Sequence, residues 1–550
     1  MSNLHKLSFT LILILAFFLR FWNISKLPPS LNWDEISHGY DAYSLLQTGK
    51  DQWGNQWPIF NFRAYGDYPT VANLYLTIPF IKFLGLNELS TRLPTAILGF
   101  LIVPLSYFLS KIIFKNKNYA LIVMLLVAIS PWTVFSSRAV FQSTIALFFL
   151  LLGITLNFYG LKKATLLIPG TIFWALSAYA YHNTRIVAPF LFVLFILFFR
   201  QQLLRIFKTN KTVVFISLFL FLFITIPQLV NLLTPESRAR SRWVFVINEN
   251  AINYLEQQRN NFKGNPLIAK IIYNKPTYFT VNVFGNYLEF INPKTIFFEG
   301  SKNFQFNVPN TGILFSSWLP FFYIGLIILL LNYKNQNYLF LLAWYIVGLI
   351  PSVITAGDFP VIRAMSILPL PQIAITLGIF KVYDLLHKQS SKTTFLLIIT
   401  FISLLQLYSY WQNYTKSYFL NYSESWQYGY KEAVTFAKAN YDNYDQIIFT
   451  KKYGEPHEFV LFYWPWDPAK YQNDKNKSWN FHADWYWVDS FDKFKFVNDW
   501  EIKSYTSQLS TKQKNLLITS PNNFTEKNSK KLSTIKFLDN KPAFDIVSYE

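Results

Sequence analysis

Apolar residues in this chain arrive in blocks of roughly 20, the length a helix needs to cross a bilayer. That spacing restricts the fold more than any other feature. Residues 7–22, 93–114, 119–135 and 313–331 are such blocks. Only 15% of the 550 residues are charged and 52% are apolar, whereas soluble globular chains carry about 25% charged residues. The chain therefore reads as a polytopic membrane protein. Its net charge of +20 does not point to nucleic acid, because Lys and Arg flank the apolar blocks instead of forming a stripe that tracks phosphates. There is no cysteine, which excludes disulfides, thiolate catalysis and Cys-ligated zinc. It is also compatible with a prokaryotic cell membrane.

Flanking charges set the expected topology. Residues 7–22 form an uncleaved first helix, since no small-residue cleavage site follows. Lys6 is then inside and residues 23–87 outside. Lys111, Lys115 and Lys117 require 93–114 to run inward. The stretch 71–86, broken by Pro79 and Gly85, therefore lies in the interface instead of spanning. Segments 119–135, 144–159, 166–179, 186–199, 213–232, 313–331, 338–355, 364–386 and 394–411 alternate in direction, each basic connection falling inside. The count is about eleven spans, up to thirteen, with an external loop at 233–310 and an external C-terminus.

After Trp411 the apolar blocks stop. Short β-type runs at 446–450, 459–464 and 515–519, with a short helix at 432–440, suggest an external α/β domain over 413–550. Residues 1–412 form the membrane domain, including the external loops 23–92 and 233–310. No internal repeat is evident.

Four polar groups gather at outer span ends. Asp34, Glu35, His38 and Asp41 form the first, and on a helix Asp34, His38 and Asp41 share a face. Gly66-Asp67-Tyr68-Pro69 is the second, and Ser136-Ser137-Arg138 with Gln142 the third. The fourth joins Tyr181-His182-Asn183-Thr184-Arg185 to Gly357-Asp358-Phe359-Pro360 and Arg363. Carboxylates can take a proton from an acceptor hydroxyl, and guanidinium groups can neutralise a phosphate leaving group. Plainer roles fit too. Asp34-Glu35 suits a helix N-terminus, Arg92 and Arg138 suit snorkelling anchors, and His182 suits packing. The tryptophans of Tyr463-Trp464-Pro465-Trp466 and Trp485-Tyr486-Trp487 suit a domain core, lipid headgroups or sugar stacking.

The run Leu31-Asn32-Trp33-Asp34-Glu35, followed by Gly39-Tyr40-Asp41-Ala42-Tyr43-Ser44-Leu45-Leu46, resembles the first external loop of GT-C glycosyltransferases. The resemblance is to the protein O-mannosyltransferases and aminoarabinose transferases, glycosyltransferase family 39 and its relatives. Gly85-Leu86-Asn87-Glu88 through Arg92-Leu93-Pro94, and Ser130-Pro131-Trp132 with Ser137-Arg138, are similar to further family patterns. The resemblance covers most of 7–386. It implies a GT-C-like helical membrane fold with interfacial helices in the first loop. It implies a polyprenyl-phosphate sugar donor, an inverting single displacement, and an acceptor that is an envelope glycan, lipid or protein, without a nucleotide sugar. By position, the acidic pair of the family matches Asp34-Glu35, with Asp34 the base and Glu35 supporting. A second acid before a proline at the interfacial helix has its counterpart at Asp67.

This sequence departs from the pattern at Ser37, where an arginine often stands, and at Gln142, where relatives carry an acid. Arg138, Arg185 and Arg363 become the donor-phosphate candidates, and His38, Tyr68, Gln142 and His182 the substrate-binding ones. No metal constellation stands out, although His38 beside Asp34, Glu35 and Asp67 is compatible with a divalent ion. Three rivals are a transporter or flippase for lipid-linked sugars, an oligosaccharyltransferase or ligase, and a structural or binding protein whose external tail recognises cell-wall polymer. The first is disfavoured because the acids cluster outside and no half-repeat is visible. The second is disfavoured because Trp464-Pro465-Trp466-Asp467 only superficially echoes the Trp-Trp-Asp motif of those enzymes.

Overall fold

The computed structural model describes residues 3–483, 485–509 and 513–549. Two compact units result. The membrane unit comprises Met1–Trp22, Thr95–Ser137 and Phe141–Trp411; the loop–tail unit comprises Asn23–Pro94, Arg138–Val140 and Gln412–Glu550. Residues 23–94, expected with the membrane domain, thus pack with the C-terminal segment instead.

Each of the eleven expected segments is helical over most of its length. Among the described residues, six helices are long and apolar enough to span a membrane: Asn3–Phe21, Glu88–Phe114, Gln142–Gly160, Lys211–Asn231, Gln336–Val353 and Gln389–Asn421. Thr184–Phe198 with Arg200–Thr209, bent by 79°, brings the number to seven. This is fewer than eleven because several expected spans are interrupted. Ser130-Pro131 splits 119–135 into Lys117–Ile129 and Pro131–Ser136, since proline cannot donate to the preceding turn. On Lys211–Asn231 the side chains of Phe215, Phe219 and Phe223 are exposed, as suits a helix whose solvent is lipid. Arg20, fully buried, is satisfied by the carbonyls of Gly99, Val127 and Ala128 at 3.0–3.2 Å. A charge inside a helical bundle needs such partners.

The loop–tail unit is built on a seven-stranded mixed sheet. Its strands are β1 (Gln446–Thr450), β2 (Ser478–His482), β3 (Trp485–Phe491), β4 (Phe494–Val497), β5 (Asn515–Thr519), β6 (Ser529–Lys536) and β7 (Pro542–Tyr549), in the order β2-β3-β4-β1-β5-β7-β6. β1 runs parallel to β4 and β5, and the other neighbours are antiparallel. The expected strands at 446–450 and 515–519 are β1 and β5. The run 459–464 is instead part of helix Pro456–Tyr463, which Pro456 at the first turn favours. One face of the sheet, with Ile447, Phe449 and Phe494, shares a core with Phe459 and Phe462 of that helix. Leu31, Ile36 and Tyr40 from the first loop complete the same core. Burying that apolar face is what binds the first loop to the tail, each side chain contributing about 1.5–3 kcal/mol.

Candidate active site

Helix Trp33–Thr48 opens with a capping box. The Asn32 side chain accepts from the Glu35 backbone N–H at 2.9 Å, and the Glu35 carboxylate accepts from the Asn32 N–H at 3.2 Å. Successive residues on a helix diverge by about 100°, so the neighbouring acids face different surroundings. Asp34 is exposed. Glu35 is buried to 1% exposure and takes the Arg92 guanidinium in two bonds of 2.9 Å, Nε to Oε1 and Nη2 to Oε2. The Val140 N–H adds a third donor at 3.1 Å. Arg92 is fully buried, and its other N–H groups go to the carbonyls of Ile24, Pro28 and Ser30 at 3.0, 3.0 and 2.5 Å. Arg92 is therefore a buried clamp on the first loop and not a snorkelling anchor.

Asp34 accepts a short hydrogen bond from the Tyr65 hydroxyl. Tyr65 is buried, stacked on Trp485 at 5.0 Å and met edge-on by Trp33 at 6.3 Å. Burial first, and the Asp34 charge second, push the Tyr65 phenol well above its ordinary range, so it stays a donor. Gly66 is required beside it: a Cβ there would lie 2.2 Å from the Trp485 ring. The Trp485 indole N–H in turn donates to Glu455.

Asp67 lies in the turn after Gly66, its Oδ1 accepting from the Tyr68 N–H at 2.8 Å. The Tyr68 and Tyr486 hydroxyls are 3.0 Å apart. The Arg63 guanidinium sits over the Tyr486 ring at 4.3 Å and over Trp53 at 5.1 Å. The face expected to carry Asp34, His38 and Asp41 together turns inward after its first member. His38 is buried at 4% exposure against Phe62. Burial drives its imidazole down to about 4, only partly offset by Asp67. It is neutral and lies beneath the surface. Asp41 is fully buried and held by Gln52, through the backbone N–H at 2.8 Å and the side-chain amide at 3.0 Å.

One constellation has no counterpart in the sequence reading. His457 lies between Glu455 (3.4 Å) and Glu458 (3.6 Å), all three buried, and Gln52 bridges Glu458 at 2.8 Å to Asp41. Burial pushes Glu455 to about 7 and Glu458 to about 8, and lowers His457 to about 3. The signal was the run Glu455-Pro456-His457-Glu458, which precedes the segment read as a strand. Among the described residues, no group of three or more His, Cys, Asp or Glu side chains is arranged to hold a metal ion.

Arg138 belongs to the loop–tail unit. It is fully buried, its Nε 3.2 Å from the Tyr414 hydroxyl, its Nη2 3.3 Å from the Leu27 carbonyl, and its guanidinium over the Tyr414 ring at 5.4 Å. The other candidates belong to the membrane unit. Asn183, next to His182, donates to the Arg363 carbonyl at 2.7 Å, and Arg185 donates to Ser237 at 3.3 Å. Gln142 begins helix Gln142–Gly160, where Ser143 reaches Met365 at 3.1 Å. The stretches carrying Gln142, His182, Arg185 and Arg363 thus meet at one place in this unit.

Residues 10–235 match the family model described as dolichyl-phosphate-mannose-protein mannosyltransferase. No curated protein matches the chain by sequence comparison. Among solved structures, the archaeal oligosaccharyltransferase AglB from Archaeoglobus fulgidus, in complex with an inhibitory peptide and a dolichol-phosphate, aligns with a TM-score of 0.53 at 14% identity. That alignment covers 84% of this chain and only 64% of AglB. ArnT from Cupriavidus metallidurans, bound to undecaprenyl phosphate, aligns with a TM-score of 0.53 at 11% identity, covering 98% of this chain and 97% of ArnT. At such identities the likeness is one of fold.

Proposed function

We propose that this chain, whose residues 10–235 match the dolichyl-phosphate-mannose-protein mannosyltransferase family model, is a GT-C membrane glycosyltransferase. It moves a sugar from a polyprenyl-phosphate donor to an acceptor hydroxyl, with its loop–tail unit on the external side of the cell membrane. The observation that carries the choice of base is the contrast between adjacent acids. Glu35 is consumed by Arg92, Asn32 and Val140, while Asp34 is exposed and oriented by Tyr65.

In this reading Asp34 takes the acceptor hydroxyl proton as the oxygen attacks the anomeric carbon. The bond from that carbon to the phosphate oxygen breaks, the phosphate leaves with the electron pair, and the configuration inverts. Arg185 and Arg363, with Gln142 and His182 on the same stretches, bind the donor phosphate, and their guanidinium groups offset its growing charge. Arg138, as a buried group, supports the loop. Glu35 positions the helix that carries Asp34. Asp67 and Tyr68 line the acceptor side, and buried His38 packs beneath them.

The test is transfer of radiolabelled sugar from polyprenyl phosphates to an envelope extract by purified protein in lipid. Wild type should transfer label, and Asp34→Asn should lose about 10²–10⁴-fold in rate while remaining folded. Equal transfer by both proteins would remove Asp34 as the base and leave Asp67 as the next acid to substitute.

A further inference from the structure

The sheet of the loop–tail unit carries a groove of about 800 Å³ that the catalytic reading does not use. Residues two apart on a strand share a face, so Trp485, Trp487 and Asp489 of β3 form one row. Trp485 touches Tyr65, and its ring centre is 6.0 Å from that of Trp487. Farther along, Lys451 pairs with Asp489 at 2.6 Å, and Asn480 donates to Asp489 at 2.7 Å. Trp500, 80% exposed, also lines the groove.

Three properties narrow what such a groove holds. The lining offers a mixture of amide, carboxylate, ammonium, imidazole and hydroxyl groups, whereas sites for apolar ligands are lined mostly by hydrophobic side chains. Its charges balance, Lys451 and Lys495 against Asp489 and Glu501, which suits neither a polyanion nor a polycation. It also presents indoles, a flat apolar surface with a polar edge. The Trp487 indole N–H is buried and makes no hydrogen bond, so a hydroxyl acceptor there would satisfy it. Flat apolar faces interleaved with donors and acceptors of both kinds match a pyranose, which has C–H faces and an equatorial rim of hydroxyls.

We propose that this groove binds a neutral oligosaccharide and is where the transferase holds the glycan chain of its acceptor. The second half of that assignment rests on the function proposed above; the first does not.

Binding is measured with the full-length protein in nanodiscs, by glycan array and then tryptophan fluorescence titration. The array carries neutral oligosaccharides, acidic polysaccharides and unglycosylated peptides. Saturable binding of a neutral oligosaccharide is expected. It should weaken about tenfold in Trp500→Ala, which removes one stacking face, and in Asp489→Ala, and be unchanged in Asp34→Asn. In the transfer assay Trp500→Ala should raise the acceptor KM and leave kcat in place. Silence across the neutral glycans, preference for a polyanion or a peptide, or wild-type affinity in Trp500→Ala would each overturn the proposal. Oligosaccharide binding with no loss of transfer in Asp34→Asn would overturn the catalytic reading alone.

Discussion

Glu35→Ala is the most discriminating stability test, because Glu35 and Asp34 are adjacent in sequence and opposite in surroundings. The substitution removes both bonds to Arg92, the return arm of the capping box and the acceptor of the Val140 N–H. It leaves a fully buried guanidinium with its charge uncompensated. Breaking a buried pair by deleting one partner costs about 3–5 kcal/mol, and losing half of a capping box adds about 1 kcal/mol. The loop–tail unit has about 210 residues, and a unit of that size loses about 2–4 °C per kcal/mol. Thermal unfolding followed by tryptophan fluorescence should therefore show a Tm roughly 8–24 °C lower for Glu35→Ala. Asp34→Asn should stay within about 2 °C of wild type. Adding Arg92→Leu to Glu35→Ala should recover part of the loss, since it removes the stranded charge. A wild-type Tm in Glu35→Ala, or no recovery in the double variant, would refute the view that this pair is the internal clamp of the loop.

Acidity should act on the loop–tail unit in an unusual direction. His38 and His457 have folded values of about 4 and about 3, below the ordinary 6.5, so their contribution is present above pH 6.5 and lost as pH falls. Glu455 and Glu458 have folded values of about 7 and about 8, above the ordinary 4.5, so their contribution is present below pH 4.5 and lost as pH rises. The two trends oppose each other up to about pH 6.5; from there to pH 8.5 the carboxyls dominate, and stability should fall by about 2 kcal/mol. Melting at pH 6.5 and 8.5 checks this: the Tm should drop at the higher pH, and Glu458→Gln should reduce the drop. Gly66→Ala should push a methyl into the Trp485 ring and cost about 1–3 kcal/mol, read as a lower Tm. Transfer activity should fall with it, because Tyr65, which stacks on that ring, also holds Asp34.

Local pattern carried much of the architecture. Apolar period and flanking charge located the helical segments, and β-branched and aromatic runs located β1 and β5. The failures have physical causes. A short apolar run such as 459–464 has no period long enough to separate strand from helix, and the helix-start signals Pro456 and Glu458 lay just ahead of it. Asp34 stood out because an acidic pair near a membrane is costly. That Glu35 faces inward was not legible, because its partner Arg92 lies 57 residues away and only tertiary packing joins them. The same holds for Asp41 and Glu458, linked through Gln52, which lies 406 residues before Glu458. The union of the first loop with the tail was likewise invisible, since hydrophobic complementarity between distant segments leaves no spacing to read.

That union has a consequence for biosynthesis. Residues 23–94 leave the ribosome early, yet the segment they pack against begins at Gln412, some 320 residues later. At roughly 5–20 residues per second, the first loop waits about 15–60 s for its other half. During that interval Leu31, Ile36 and Tyr40 are without the core that buries them in the finished protein. A ribosome that stops before Gln412 releases a chain in which the helix carrying Asp34 still lacks its support. Maturation of the first loop is thereby tied to synthesis of the segment that begins at Gln412, and a nascent chain of this kind is a natural client for chaperones that shield apolar surface.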